Sequence, residues 1–318
     1  MPLTAPILSR QKILAFAAET TTGTAAALNA TQGGLVNAYD AKLGYDIKPT
    51  ERRGQGSLSM LNPMPGARSG KCTFGSELFG SGTASTAPAW GILLLACGMQ
   101  QNSSGQIYTP ITGGLETLTI GLYQGGGTTA RFKTLAGCVG DLTMKGVTGD
   151  PVKLDWNFMG VWAAPTTTTA IAPTYPVIIP PRFAGATLTI GGTAYRIPDF
   201  ELKFSNKLAL RKDAGNANGT GYYSAYVVDR KYTFKISPES LPLSTQDWYA
   251  AQVAGTTFAL SMTVGSVAGN EFTIAAPVMQ LLNPPADKDE DDMLHDELEF
   301  LCVKNSAAGD DELSITCV

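Results

Sequence analysis

The sequence feature that most constrains the fold is a strand, helix and hairpin pattern in the second half of the chain. Apolar residues alternate along the first part of this stretch, as in a strand that buries one face. A helix follows and ends at Gly255, because glycine commonly terminates helices. Two further alternating segments flank a glycine-containing turn, which is typical of a β-hairpin. The pattern predicts strands over 226–236, 257–264 and 271–282 and a helix around Trp248, with Ser244 and Thr245 as its N-terminal cap.

The first half of the chain contains the same pattern in the same order. Lys231-Tyr-Thr-Phe234 has a counterpart in Lys71-Cys-Thr-Phe74, and the Trp248 helix has one around Trp90. Beyond the helices the spacing changes, as one insertion would produce, and the glycine-rich residues 98–114 are the candidate. The counterparts there are Phe132 for Phe272 and Phe158 for Phe300. We therefore predict an internal duplication; the alternative is a chance alignment of two β-rich halves with glycine turns.

A proline- and threonine-rich segment separates the two halves. Prolines lack the N–H group that a sheet requires, so this segment predicts a linker. The N-terminal residues are apolar without a clean period, which favours either a frayed end or an arm that orders against a neighbouring subunit. The predicted organisation is an arm over 1–22, a first domain over 23–163, a linker over 164–181 and a second domain over 182–318, which opens with a hairpin around Gly191-Gly192.

Composition argues against several classes of protein. The net charge is −4, from 23 basic and 27 acidic residues, whereas a tight nucleic-acid binder carries a basic patch. No apolar run reaches the ~20 residues of a membrane-spanning helix, so membrane insertion is not expected. The five cysteines are scattered and odd in number, which indicates buried thiols in a reducing compartment rather than a disulfide framework.

The residues available for chemistry are few. His295 is the one histidine, and no serine or cysteine lies in a nucleophile-elbow pattern. Gly125-Gly-Gly lacks the lysine of a phosphate-binding loop. We therefore predict neither an enzyme nor a bound cofactor. The acidic run Asp287 to Asp292 lacks the glycine and glutamate spacing of a calcium loop, which favours a solvated loop; a metal site and an electrostatic function remain open there.

Three segments carry a resemblance to a known family. They are residues 82–98 around Trp90, residues 229–234, and residues 259–274 with the hairpin turn. Together they resemble the major tail tube proteins of long-tailed, siphovirus-type bacteriophages. The resemblance implies a mainly β fold of two tandem β-sandwich domains that form a barrel, each with one flanking α-helix. It also implies a structural virion protein that polymerises as stacked rings into the tail tube, through which DNA is ejected.

The resemblance further implies partners and a location. Since single-domain members form rings of six, two domains in one chain imply homotrimeric, pseudo-hexameric rings, with a hexamer as the alternative. Tape measure, tail terminator and distal tail proteins are the implied partners, together with non-specific passage of double-stranded DNA. The protein is expected in the host cytoplasm during assembly and in the virion tail afterwards.

Two sets of residues are candidates for these roles. Acidic side chains in the lumen would repel DNA phosphates and let the duplex slide. Long loops in each half are expected to mediate ring stacking. The candidate lumen-facing acids are Asp141, Asp150, Asp155, Asp287, Asp289, Glu290, Asp291 and Asp292, and the candidate stacking residues are Arg52, Arg53, Arg211, Lys212 and Asp213.

The alternative from another class is a two-domain β-sandwich binding module, such as a carbohydrate or receptor binder of a phage or cell surface. Such a module needs exposed aromatic side chains. The cluster that would serve is Tyr222, Tyr223 and Tyr226.

Overall fold

The computed structural model describes residues 7–56, 58–102, 105–216 and 218–318, and these are mainly β-structure with three short α-helices. The first half contains β1 (Lys12–Ala18), β2 (Tyr39–Arg53), β3 (Met60–Glu77), β4 (Met99–Gln101), β5 (Ile107–Pro110), β6 (Leu118–Gln124), β7 (Ala130–Val147), β8 (Lys153–Trp162) and β9 (Thr166–Thr168). The second half contains β10 (Thr187–Ile190), β11 (Thr193–Ala194), β12 (Asp199–Lys203), β13 (Lys207–Lys212), β14 (Tyr222–Asp229), β15 (Thr233–Ile236), β16 (Thr257–Val264), β17 (Phe272–Leu281), β18 (Ala286–Glu290), β19 (Met293–Cys302) and β20 (Ser314–Cys317). The helices are α1 (Ala30–Gly33), α2 (Ile92–Ala96) and α3 (Trp248–Val253), and 3-10 turns span Ala89–Gly91 and Gly127–Thr129.

Six strands of the first half form an antiparallel sheet in the order β2, β3, β8, β7, β6, β1. Alternation decides which side of each strand is buried. In β8, Leu154, Trp156 and Phe158 face the core, whereas the residues between them are exposed. At β8 the sheet therefore has one apolar face and one solvated face, as is common for antiparallel sheets, whereas β6 is buried on both faces.

Six strands of the second half form a sheet with the same arrangement, in the order β12, β15, β19, β17, β16, β10. In each half the helix that carries or follows the tryptophan lies between the third and fourth of these strands in chain order. The β6·β7 ladder has a register shift between Leu118 and Ile120, and the β16·β17 ladder has one between Phe258 and Leu260. The two halves thus share strand order, helix position and an irregularity at the same ladder.

The two sheets are joined edge to edge by β7. Its last residues, Thr143 to Val147, pair antiparallel with Lys203 to Asp199 of β12. The combined sheet is open rather than closed into a barrel: among the described residues, β2 pairs with β3 alone. One free edge therefore belongs to the first half.

The core continues across this junction. Trp90 packs against Trp156 of its own half at a ring-centroid distance of 6.2 Å and against Phe272 of the other half at the same distance. Its indole Nε1 donates to the Phe79 carbonyl at 2.7 Å, so the buried polar group is satisfied. The buried apolar residues of the two halves form one contiguous cluster.

The C-terminal strand β20 also connects the two halves, because it pairs with a strand of each. The segment 98–114, predicted as an insertion, forms β4 and β5, and β5 pairs with β20, which in turn pairs with β17. Nearby, Arg230 forms ion pairs with Asp310 and with Glu312, the latter at 3.1 Å. Asp310 also accepts a hydrogen bond from the Thr112 hydroxyl at 2.6 Å.

Each half sends out a β-hairpin arm. The first is the outer part of β2 and β3, and the second is β13 with β14, which have no other strand partner in the part of the chain that the structure describes. The second arm packs on the first-half sheet, where Ser224 and Ala225 are buried. Gly137 of β7 has a φ of +59°, and a Cβ there would lie 2.8 Å from Ser224 Cβ, so glycine suits both the backbone and the contact.

Several predicted elements differ in the structure. Residues 226–236 do not form one strand, because β14 ends at Asp229 and β15 begins at Thr233 around the Arg230 ion pairs. The cap of α3 is Asp247, whose carboxylate accepts from Ala250 N, rather than Ser244 or Thr245. Residues 12–18, assigned from the sequence to an N-terminal arm, form β1. The strands predicted over 257–264 and 271–282 and the turn at Gly191-Gly192 are confirmed.

Candidate assembly surfaces

The solvated side of the combined sheet forms a charged surface that crosses from one half to the other. We call it the charged face and define it by Lys145, Asp155, Glu201, Lys203, Lys235 and Glu297, which lie on β7, β8, β12, β15 and β19. Lys145 lies 3.5 Å from both Asp155 and Glu201, so it links the two sheets across the β7·β12 ladder. Lys203 pairs with Glu201 and Lys235 with Glu297, each at 2.9 Å.

The electrostatics of the charged face are balanced. Burial by itself would raise the pKa of Glu201, but Lys203 and Lys145 outweigh it and lower that pKa. Each exposed pair stabilises the fold by at most about 1 kcal/mol. The larger effect is on the surface potential, because each of these three lysines lies beside a carboxylate and none presents an uncompensated cation to a phosphate.

The candidate acids of the first half lie around β7 and β8. Asp155 belongs to the charged face and is half exposed. Asp141 is partly buried; burial raises its pKa, against backbone hydrogen bonds from Asn206 and Leu142 that lower it. Asp150 is exposed in the turn between β7 and β8. The structure therefore puts one of these three acids on the open surface of the sheet.

The remaining candidate acids lie on one hairpin, β18 and β19, which we call the acidic hairpin. Asp287, Asp289, Asp291 and Asp292 are exposed and Glu290 is half-buried. Asp291 and Asp292 form its turn with φ of +54° and +62°, the left-handed values of a two-residue hairpin turn. Lys288 holds the hairpin against its own half by pairing with Asp199 at 2.7 Å.

The acidic hairpin also contains His295. This histidine is buried, and its Nδ1 lies 3.2 Å from the Met293 carbonyl oxygen. Among the described residues, no group of His, Cys, Asp and Glu side chains is arranged to hold a metal ion.

The candidate stacking residues lie on the two arms. Arg52 and Arg53 are exposed at the end of β2, and Arg211 and Lys212 at the end of β13, next to Asp213. The Arg211 guanidinium lies over the Tyr223 ring at 5.1 Å. Arg52 and Arg53 therefore lie at the tip of the first arm, and Arg211 and Asp213 lie at the tip of the second arm.

The first arm also carries exposed apolar side chains that sequence reasoning missed. Met60 and Met64 are 52% and 55% exposed, and Ile47, Leu58 and Leu61 are exposed as well. The signal available in the sequence is the run Met60-Leu-Asn-Pro-Met64 within an otherwise polar loop. Contiguous exposed apolar residues usually mark a surface that another protein covers.

The tyrosines of the alternative binding module do not form an exposed platform. Tyr222 is buried and Tyr223 is covered by Arg211, which leaves Tyr226 as the exposed member. A carbohydrate-binding platform would need several exposed rings on one surface.

These features place the protein in a class of β-rich proteins. It has an unpaired strand edge and projecting hairpin arms, which are features typical of proteins that assemble with other subunits. The comparison with known families agrees. The family model described as phage tail tube protein matches residues 9–302, so the chain belongs to this family and is a structural component of the phage tail. No curated protein matches the chain. None of the helices in the described part of the chain is long and apolar enough to cross a membrane.

Proposed function

We propose that the protein polymerises as stacked rings into the tail tube and so forms the conduit through which DNA is ejected into the host. The observation that carries this proposal is the β7·β12 ladder, which joins two sheets of the same strand order side by side within one chain. Repeating that junction between chains would extend the sheet around a ring and remove its free edges.

The two halves are proposed to be copies of one tube domain, at 23–163 and 182–318, with the linker 164–181 between them. Their shared strand order and matching register shifts support this. With two domains in each chain, a ring of three chains has six similar units. A ring of six chains is the alternative, and the mass of an isolated ring distinguishes them, since each chain contributes 33.4 kDa.

The charged face is proposed to line the lumen. Lys145, Lys203 and Lys235 are each paired with a carboxylate, which supports a wall that does not grip the duplex tightly, while the exposed Lys153 beside Lys145 has no ion pair among the described residues. Asp155 is the candidate acid on this surface. Replacing Asp155 by Asn would leave Lys145 less compensated, so DNA ejection should slow while tubes still assemble, whereas Glu116→Gln at an exposed loop should leave the rate unchanged. Equal ejection rates for both variants would contradict this assignment.

The arms are proposed to connect successive rings. The exposed apolar residues of the first arm and the arginines at both tips support this. Deleting residues 213–219 between β13 and β14 should give folded, soluble rings that no longer form tubes. Normal tubes from that deletion would overturn the role of the second arm.

The first experiment is negative-stain microscopy of the concentrated protein, combined with light scattering on the smallest stable particle. Stacked rings or tubes are expected. Dispersed particles would instead favour the binding module, which the buried Tyr222 already makes less suitable. Tape measure, tail terminator and distal tail proteins are the proposed partners of such tubes, with assembly in the host cytoplasm.

A further inference from the structure

A cavity of about 760 Å³ lies at the free edge of the first-half sheet. Two short segments form much of its wall: the residues before β1, including Ser9 and Arg10, and the residues from Val36 into β2. Arg10 is exposed, and Lys12 donates from its Nζ to the Ala41 carbonyl at 2.9 Å. The neighbouring edge of β2 has no strand partner among the described residues.

The equivalent place in the second half is filled by the chain itself. The turn between β7 and β8 enters there: Thr148 N donates to the Pro198 carbonyl at 2.9 Å, and Gly149 N donates to the Phe183 carbonyl at 3.0 Å. Phe183 N in turn donates to the Asp150 carbonyl at 2.8 Å. This turn is the continuation of β7 beyond its ladder with β12.

The shared strand order gives the correspondence between the two places. Phe183 precedes β10 as Ser9 precedes β1, and Pro198 precedes β12 as Ala38 precedes β2. Both Ser9 and Ala38 line the cavity. The first-half cavity therefore has the walls of a turn-binding site, and in the described part of the chain no turn enters it, although Tyr175 contributes to its lining.

The same correspondence identifies the turn that is missing. β7 and β8 match β17 with β18 and β19, so the turn between β7 and β8 matches the tip of the acidic hairpin. Within the described residues, β18 pairs with β19 alone, so its other edge has no strand partner. The corresponding edge of β7 is the one that pairs with β12.

We infer that the acidic hairpin of a second copy of this chain occupies the cavity beside β2, with residues from about 284 onward pairing along the β2 edge. The inference rests on the proposed ring and names its contact. Charge also favours this occupant: Asp287, Asp289, Asp291 and Asp292 would approach Arg10 and Lys12, although Asp40 and Glu77 share the lining. The hairpin acids are then interface residues rather than lumen residues.

A crosslinking experiment tests the contact directly. Ala38→Cys and Asp289→Cys are made in separate chains. The ladder registers match Ala38 with Phe200 and Asp289 with Gly146, and Phe200 and Gly146 are paired residues of the β7·β12 ladder. The native cysteines are all buried. Mixed chains are assembled and treated with a mild oxidant or a short bis-maleimide. A covalent dimer is expected from the mixture and not from either chain alone.

The matched control replaces Asp289→Cys by Glu116→Cys, another exposed acid. If wild-type tubes form and the Asp289 mixture crosslinks no more than the control, the inference is overturned while the proposed function stands. If the wild-type chain does not self-associate at all, both are overturned.

Charge reversal gives a second, non-covalent measurement. Arg10→Glu should raise the concentration needed for tube assembly about tenfold, because like charges would meet at every ring contact. Adding Asp289→Lys should restore assembly toward the wild-type concentration, whereas adding Glu116→Lys should not. Equal behaviour of the two double variants would contradict the contact.

Discussion

Asn206 joins the two halves at one buried point, and its removal can be worked out from the structure. Its side chain is 8% exposed, and Nδ2 donates to the Cys97 carbonyl at 2.7 Å and to the Gly140 carbonyl at 3.0 Å. Asn206→Ala leaves both first-half carbonyls without this donor. An unsatisfied buried polar group costs about 1–3 kcal/mol, but the substitution also removes Asn206 Oδ1, which is buried and has no hydrogen-bond partner among the described residues. Since this gain offsets part of the loss at the two carbonyls, we expect the unfolding free energy to fall by about 1–3 kcal/mol.

The measurement is urea unfolding of the unassembled protein, followed by tryptophan fluorescence. The control is Asn283→Ala, which removes one exposed hydrogen bond to Glu299 at 2.9 Å and should cost under about 0.5 kcal/mol. If Asn206→Ala lowers stability no more than Asn283→Ala does, the bridge between the halves contributes nothing and the reasoning fails.

Three further perturbations test the ion pairs, the acid at the junction and the thiols. Arg230→Ala should lower the unfolding free energy by about 2–3 kcal/mol, because it strands two partly buried carboxylates, and exposed Arg10→Ala should not; equal urea midpoints would refute this. The pKa of Asp141 is higher folded than unfolded, so its ionisation opposes folding as pH rises from ~4. Asp141→Asn should therefore raise the midpoint temperature of thermal unfolding at pH 7 but not at pH 3. An equal rise at both pH values would contradict this reasoning. Burial raises the pKa of the Cys72, Cys302 and Cys317 thiols to about 12, so iodoacetamide should label the five cysteines only after denaturation; rapid labelling of the native protein would disagree.

The strands of the second half were predictable where alternation and glycine turns act locally. β16 and β17 follow from the alternation of Phe258 to Val264 and Phe272 onward, with Gly265 and Gly269 at positive φ between them. The duplicate pattern in the first half also indicated the placement of β3 and β8. These features depend on neighbours within a few residues, so the sequence carries them.

Other elements depend on distant partners and were not predictable from local pattern. The break between β14 and β15 lies at Arg230, whose acids come from the C-terminal segment. The continuity of β7 through Gly137 depends on the second arm packing over it.

The candidate surfaces were predictable in part. The arm tips with Arg52 and Arg211 follow from polar loops between strands. Which acids are open to solvent does not, because that depends on distant segments that cover the sheet. Asp141 and Asp155 lie on the same face of neighbouring strands, yet Asn206 from the second half partly buries Asp141 while Asp155 is open.

The edge-to-edge ladder between β7 and β12 has a mechanical consequence. Turning one half of the chain relative to the other would break backbone hydrogen bonds along five residue pairs and would also separate Trp90 from Phe272. Each chain should therefore behave as a stiff plate. If such plates build the tail, its curvature during attachment to a cell must arise in the gaps between subunits, where the arms could slide, and not by hinging inside any one of them.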